Sequence, residues 1–396
     1  MEKTLLLKHG NFEAVIAAPK RFSIPNDYNE EILKTLSKDD TQAWREWRTS
    51  KFEEYRSLGF PVWKRSNLIS LQLPDPTLKP QILTQITCLW EPIYRNDEAL
   101  NILKEWDFEG SDRKFVLQSD VFFNEGLFIH AHDGRKEEAI VEVRGDGAAI
   151  LNNMVKLDDG AELTLIWFVE NTSYLSFLTR YIVGKNAVLH VLYVRAGGET
   201  LFSNEYFLLK EGAKVRILEV DRPEKLSAPF VLVSYAGKNS EATLKHAYSL
   251  KATQKSDSMF VLRHNVPGTR GLLESVGVLH DKARAVFRGN IEIKQRAVDT
   301  ETSEKATAVL LSESARADAI PALMVEENEV AASHAATIGT VGEDELYYLM
   351  SRGLSKELAL KLIVEGIFEP IVKEAGELFG EHWQEVITRV LTRKHT

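Results

Sequence analysis

The feature that most restricts the fold of this chain is a repeat in the spacing of its turn residues. Gly134, Gly160, Asn186 and Gly212 follow one another at intervals of 26 residues, and Asn239 comes 27 residues later. Glycine and asparagine tolerate positive φ, so a ladder of them marks a ladder of equivalent turns. Three of the turns lead into similar segments: Gly160-Ala161-Glu162-Leu163-Thr164-Leu165, Asn186-Ala187-Val188-Leu189-His190-Val191 and Gly212-Ala213-Lys214-Val215-Arg216-Ile217. In each, the third and fifth residues after the turn are aliphatic, and alternate residues share one face of a strand. A fixed period of roughly 20–50 residues marks a solenoid. This unit holds strands and turns with no helical segment, which favours a parallel β-helix over leucine-rich or ankyrin arrays. The competing reading is a sandwich with evenly spaced turns. The repeat blurs after about residue 250, where Pro267-Gly268-Thr269-Arg270-Gly271 looks like a loop that breaks it.

Helical patterns flank this core, giving a mainly β protein in three parts: a mostly helical region at 1–111, the β-helix at 112–341 and a second helical region at 342–396. In the first region Ser37-Lys38-Asp39-Asp40 reads as an N-cap signal. Trp44, Trp47, Tyr55 and Leu58 recur near helical spacing until Gly59 and Pro61. Pro61, Pro74, Pro76 and Pro80 mark an irregular stretch. In the last region Leu346, Tyr347, Leu349 and Met350 precede Gly353, a C′ glycine, and Ser355 caps the next helix, with Leu358, Leu362, Ile363, Ile367 and Phe368. A final helix groups Phe379, Trp383, Val386, Ile387 and Val390 and ends in Arg393-Lys394-His395, cations that suit a helix C-terminus.

The bulk properties exclude several classes. A hydrophobic content of 44% supports a large core, and a formal net charge of -9 with no basic run argues against nucleic acid or an anionic membrane as partner. Leu5-Leu6-Leu7 is too short for a signal peptide, and no segment approaches a membrane span. The chain reads as cytoplasmic. Its one cysteine, Cys88, sits among apolar neighbours and is expected to be a buried, inert thiol.

Few segments carry chemistry on their own. There is no P-loop, no dinucleotide fingerprint at Gly145-Asp146-Gly147 and no Cys-x-x-Cys. The sharpest local metal signal is His130-Ala131-His132, since residues two apart on a strand project from one face. With Glu137, Glu138 and Gly145 downstream it invites comparison with the cupin pattern, hence with a β-fold metal-dependent enzyme. The competing reading is two solvated histidines before a turn. His334 on its own reads as a satisfied histidine at a strand end.

Three stretches change that weight: Ser314-Ala315-Arg316-Ala317-Asp318-Ala319-Ile320-Pro321-Ala322-Leu323, then Ser333-His334-Ala335-Ala336-Thr337-Ile338-Gly339, then Leu346-Tyr347-Tyr348-Leu349-Met350-Ser351-Arg352-Gly353-Leu354. Together they resemble the C-terminal signature of the SufB/SufD family of iron–sulfur cluster assembly scaffolds. Phe52-Glu53-Glu54-Tyr55-Arg56-Ser57-Leu58-Gly59-Phe60-Pro61 is similar to the N-terminal segment of SufD proteins. The resemblance implies a right-handed parallel β-helix between helical regions and a scaffold without enzymatic activity. It also implies a partner scaffold, either a SufB-like paralogue or a second copy of the chain, and a SufC-like ATPase docked on the C-terminal helices. Aligned on Pro321, the cluster-building cysteine of SufB falls at Ala315, and the glutamate of SufB falls at Ala335. The departures bring the chain closer to SufD. His334 is then a candidate iron ligand, completed by the partner, and any iron–sulfur cluster is transient, with no cofactor held stably by the isolated chain. Tyr347, Tyr348, Leu349, Met350, Arg352, Gly353 and Leu354 are candidate ATPase contacts, although Leu346, Leu349 and Met350 could equally pack helix on helix.

Overall fold

A computed structural model describes residues 20–392 except 64, 107, 108, 146 and 171, and the backbone alone of the strands Leu5–His9 and Phe12–Ile16. Asp146, the Met1–Thr4 segment and the Arg393–His395 cations lie outside the described residues. The body is a parallel β-solenoid of two nine-stranded sheets. In each sheet eight strands run parallel and the ninth, at the first end, is antiparallel. Each coil gives one strand to each sheet, as Glu162–Glu170 and Tyr174–Val183 do. Inward residues of both sheets, among them Leu163, Val191, Ile217, Phe177 and Phe207, form one continuous core.

The turn ladder holds, and it continues past residue 250. Gly134, Gly160, Asn186, Gly212 and Asn239 all have positive φ, and so do Gly268 and Asp299 after them. The N–H groups of Gly160, Asn186, Gly212, Asn239, Gly268 and Asp299 donate to carbonyls of the next turn, at 2.7 to 3.4 Å. Pro267-Gly268 is therefore one more turn, and the strand Arg270–Leu279 pairs on both sides. The repeat blurs in sequence because the coils lengthen. Glu162 pairs with Val188, 26 residues on; Glu241 pairs with Arg270, 29 on; Arg270 pairs with Glu301, 31 on.

From Gly160 to Gly268 glycine and asparagine alternate along this ladder, and at two steps the reason is steric. The Asn186 carboxamide occupies the space a Cβ on Gly212 would need, and that of Asn239 does the same at Gly268.

Helices cover both sheets. α1 (Glu30–Leu36), α2 (Gln42–Ser57), α3 (Asp97–Glu105) and α4 (Arg113–Phe122) lie toward the first end. Helix α2 is capped by Thr41, whose hydroxyl accepts from the Trp44 N–H, whereas Ser37 closes α1. Helix α4 occupies the start of the segment read as strands. It is buried on all sides, against Ile150, Met154, Tyr174 and Phe202 of the second sheet, and even its polar residues Lys114, Gln118, Ser119 and Asp120 are buried. Directly after the irregular stretch marked by Pro61 to Pro80 come the two antiparallel strands, Gln81–Ile86 and Leu89–Pro92, that end the two sheets.

At the other end of the chain come α5 (Glu343–Ser351), α6 (Lys356–Phe379) and α7 (Glu381–Thr392). Gly353 lies just beyond α5 with φ +93°, and the Ser355 hydroxyl caps α6. Phe379 closes α6 rather than opening α7, because Gly380 separates the two. Phe368, Ile371, Ala375, Trp383, Ile387 and Leu391 cover the outer face of the first sheet at Ile166, Leu192, Val194, Leu218 and Val220.

Candidate functional site at the open end of the solenoid

The two ends of the solenoid differ. The last coil, Arg316–Val325 and Val330–Thr340, is bonded only to the coil before it. No described residue covers its inward face, where Val325 and Ile338 are exposed; Ile320 and Met324, also exposed, lie on the outer face in register with Arg288 and Glu292.

His334 sits in the middle of this last coil and is exposed. Its register partner one coil below is Glu304. Paired residues of neighbouring strands point the same way, so carboxylate and imidazole share the inward face. Glu304 is only 2% exposed, and neither of its oxygens has a hydrogen-bond partner among the described residues. Burial pushes its carboxyl up to about 7. Gly289 makes room for it: a Cβ there would collide with the carboxylate.

Around Gly271, on the strand next to that of Glu304, three more buried polar atoms from different coils lack partners among the described residues. A Cβ on Gly271 would lie 2.8 Å from Thr302 Oγ1, 2.9 Å from Tyr235 Oη and 3.0 Å from His264 Nε2. The His264 ring stacks on Tyr235, with centroids 4.2 Å apart, and burial holds its pKa down at about 3. The inside of the solenoid thus turns polar below its open end. None of these residues was singled out from sequence. The signal was the alternation in Thr300–Leu310, which puts Thr302 and Glu304 on the inward face beside Ala306.

A second polar system lies deeper. Arg195 donates to Asp221 at 2.8 Å and Glu205 at 3.2 Å and also bonds Glu219. The Asp221 carboxylate reaches His246 at 3.1 Å, whose other ring nitrogen meets Ser275 at 3.1 Å. Burial raises Asp221, but the Arg195 charge and the bonds from His246 and Arg195 outweigh it and hold the carboxyl below the usual range.

The other predicted residues sit apart from the open coil's inner face. In α5, Tyr347, Tyr348 and Met350 are exposed while Leu346 and Leu349 are half-buried. Arg352 is exposed and its guanidinium lies 3.3 Å from the Tyr348 hydroxyl; Gly353 and Leu354 follow in the turn. Leu358 and Leu362 of α6 add further exposed apolar surface. Cys88 is buried in the first coil, and burial and then the nearby Glu137 charge push its thiol up to about 12.

His130 and His132 lie in the first coil. Their acidic neighbour is Asp158, not Glu137 or Glu138. Glu137 accepts from the His132 backbone N–H at 3.1 Å, and Glu138 is tied through its backbone to Thr87. Parallel solenoid sheets also exclude the cupin barrel that this spacing suggested.

Fold and open coil together define a class: a β-solenoid with one sealed end, one open polar end and a helical pair laid along its flank. The sequence profile described as "SUF system FeS cluster assembly, SufBD core domain" matches residues 140–367. The chain belongs to this family of iron–sulfur cluster assembly proteins. It is 39% identical over 111 residues to the iron–sulfur cluster assembly protein SufD of Bacillus subtilis, which is 28% of this chain and 25% of that protein. It is 28% identical over 244 residues to an iron–sulfur cluster assembly SufBD family protein of Mycobacterium tuberculosis, covering 59% of this chain and 55% of that one. The chain thus spans between a quarter and just over half of these relatives. No helix among the described residues is long and apolar enough to cross a membrane.

Proposed function

We propose that the chain is a SufD-type scaffold subunit, itself without enzymatic activity, that joins a second scaffold at its open coil and takes a SufC-like ATPase on α5 and the start of α6. The observation that carries this reading is the unpaired last coil with His334 stacked on Glu304. A bare pair of sheet edges is a template for strands from another molecule. A partner coil laid there would enclose His334 and Glu304 between two chains. His334 then offers an imidazole to a transient cluster, and the remaining ligands come from the partner, because Ala315 and Ala335 offer none. The partner is a SufB-like paralogue or a second copy of this chain. Tyr347, Tyr348 and Met350, with Leu358 and Leu362, form the exposed apolar face that suits an ATPase partner. The setting is a cytoplasmic one.

The test is co-expression with a SufB-like protein and a SufC-like ATPase, followed by cluster reconstitution on the purified complex. His334→Ala is expected to lower cluster yield while the complex stays assembled. Tyr347→Ala with Met350→Ala is expected to release the ATPase and leave the melting temperature unchanged. An undiminished cluster yield removes the ligand role from His334. Failure to recover any complex at micromolar concentration overturns the scaffold reading. The mass of the complex separates a paralogue from a second copy.

A further inference from the structure

We propose that His130, His132 and Asp158 form a binding site for a divalent transition-metal ion of the zinc class, separate from the open end. His130 lies on the strand Leu127–Ala131, and His132 follows that strand directly. Asp158 is 26 residues after His132, one full coil, and so arrives beside it. Its backbone N–H donates to the Ala131 carbonyl at 3.0 Å, which fixes the acid against the two histidines.

The side chains already converge. His130 Nε2 is 2.8 Å from one Asp158 oxygen and His132 Nδ1 is 3.3 Å from the other. The two rings are 4.4 Å apart, and one ligand atom from each of the three residues falls within 4.8 Å of the others. Two imidazole nitrogens and a carboxylate oxygen are a donor set that zinc takes at about 2.0–2.2 Å, with a fourth position left for water. All three residues are half-buried, so an ion can enter from solvent.

The surroundings support the set. Glu137 holds the backbone N–H of His132 at 3.1 Å and so fixes the second histidine. Among the described residues Lys156 is the one cation within ion-pair distance, 3.9 Å from Asp158, and it is engaged by Glu98 at 2.6 Å. With neutral imidazoles the cluster of His130, His132, Asp158, Lys156 and Glu98 carries one net negative charge, which a divalent ion would overcompensate by one. An ion here would staple the first coil to the turn of the second at the sealed end, far along the solenoid from His334.

The proposal is tested on the full chain, free of any histidine tag, by titration with Co²⁺ and then Zn²⁺ at neutral pH. One equivalent of Co²⁺ should give the visible absorption of a low-coordinate cobalt site, which Zn²⁺ then abolishes. Zn²⁺ should also raise the melting temperature, as any ligand of the folded state does. His132→Gln and Asp158→Ala should each weaken binding at least about tenfold and remove the thermal shift. Because both side chains are partly exposed, these variants should keep the wild-type circular dichroism. His334→Ala should bind Co²⁺ as the wild type does. No uptake by the wild type, or undiminished uptake by His132→Gln and Asp158→Ala, overturns the site.

Discussion

His334 stands directly over Glu304, its register partner on the neighbouring parallel strand, one exposed at the open end and the other buried beneath it. The pair marks where the closed interior of the solenoid meets solvent. The buried member has a measurable signature.

Glu304 has its pKa raised from 4.5 to about 7 by burial. The folded chain therefore holds this proton more tightly than the unfolded chain does. Stability contributed by the protonated form is full below the ordinary value and declines as pH rises toward 7. Glu304→Gln carries no charge and escapes this decline. In the isolated chain it should melt about 2–4 °C above wild type at pH 8, with the difference closing near pH 4.5. Melting curves across that range check it; parallel curves for the two proteins would mean that Glu304 is solvated in the folded state.

Asp221 has the opposite sign. Arg195 and His246 keep its pKa below the ordinary carboxylate value. Its contribution is present above the unfolded value of about 4 and is lost as pH falls through the folded one. Asp221→Asn leaves Arg195 without one of its carboxylates in a fully buried setting and should cost roughly 3 kcal/mol at pH 7. The cost should shrink as pH drops below about 4. Urea unfolding at both pH values measures it.

The turn ladder makes a prediction that single substitutions cannot test. Gly212→Asn places a side chain where the Asn186 carboxamide already lies and should destabilise the chain by about 1–3 kcal/mol. Asn186→Gly alone should be nearly neutral, since glycine also takes the positive φ found there. The double variant, which swaps the two residues, should recover most of the loss. A double-mutant cycle with no coupling would show that the two turns do not touch.

The solenoid was legible because its turns need positive φ, and residues such as Gly160 and Asn186 announce that requirement locally. The later coils hid because their added residues stretch the spacing from 26 to 31 without changing the turn itself. Helix α4 hid because its polar residues Lys114, Gln118, Ser119 and Asp120 are buried along with Phe115, Val116, Leu117, Val121 and Phe122, so polarity along it does not mark an exposed face. The strand Gln81–Ile86 hid because it is half-exposed and directly follows the proline-marked stretch that ends at Pro80. Contacts between coils are legible only once the period is known. Adding one period to His132 gives Asp158, whereas the neighbours in sequence, Glu137 and Glu138, turn elsewhere. Glu304 needed the longer step of 30 residues back from His334, a spacing the early repeat does not supply.

The reversed strands Gln81–Ile86 and Leu89–Pro92 give the molecule a direction. Further parallel coils can be added in register only beyond Val330–Thr340, because at the opposite end the ladder has already changed sense. Parallel stacking along the axis therefore has a single origin on each chain. The two ends of each sheet therefore offer edges of opposite sense, and an end-to-end run of parallel coils cannot be continued from one molecule to the next by simple repetition.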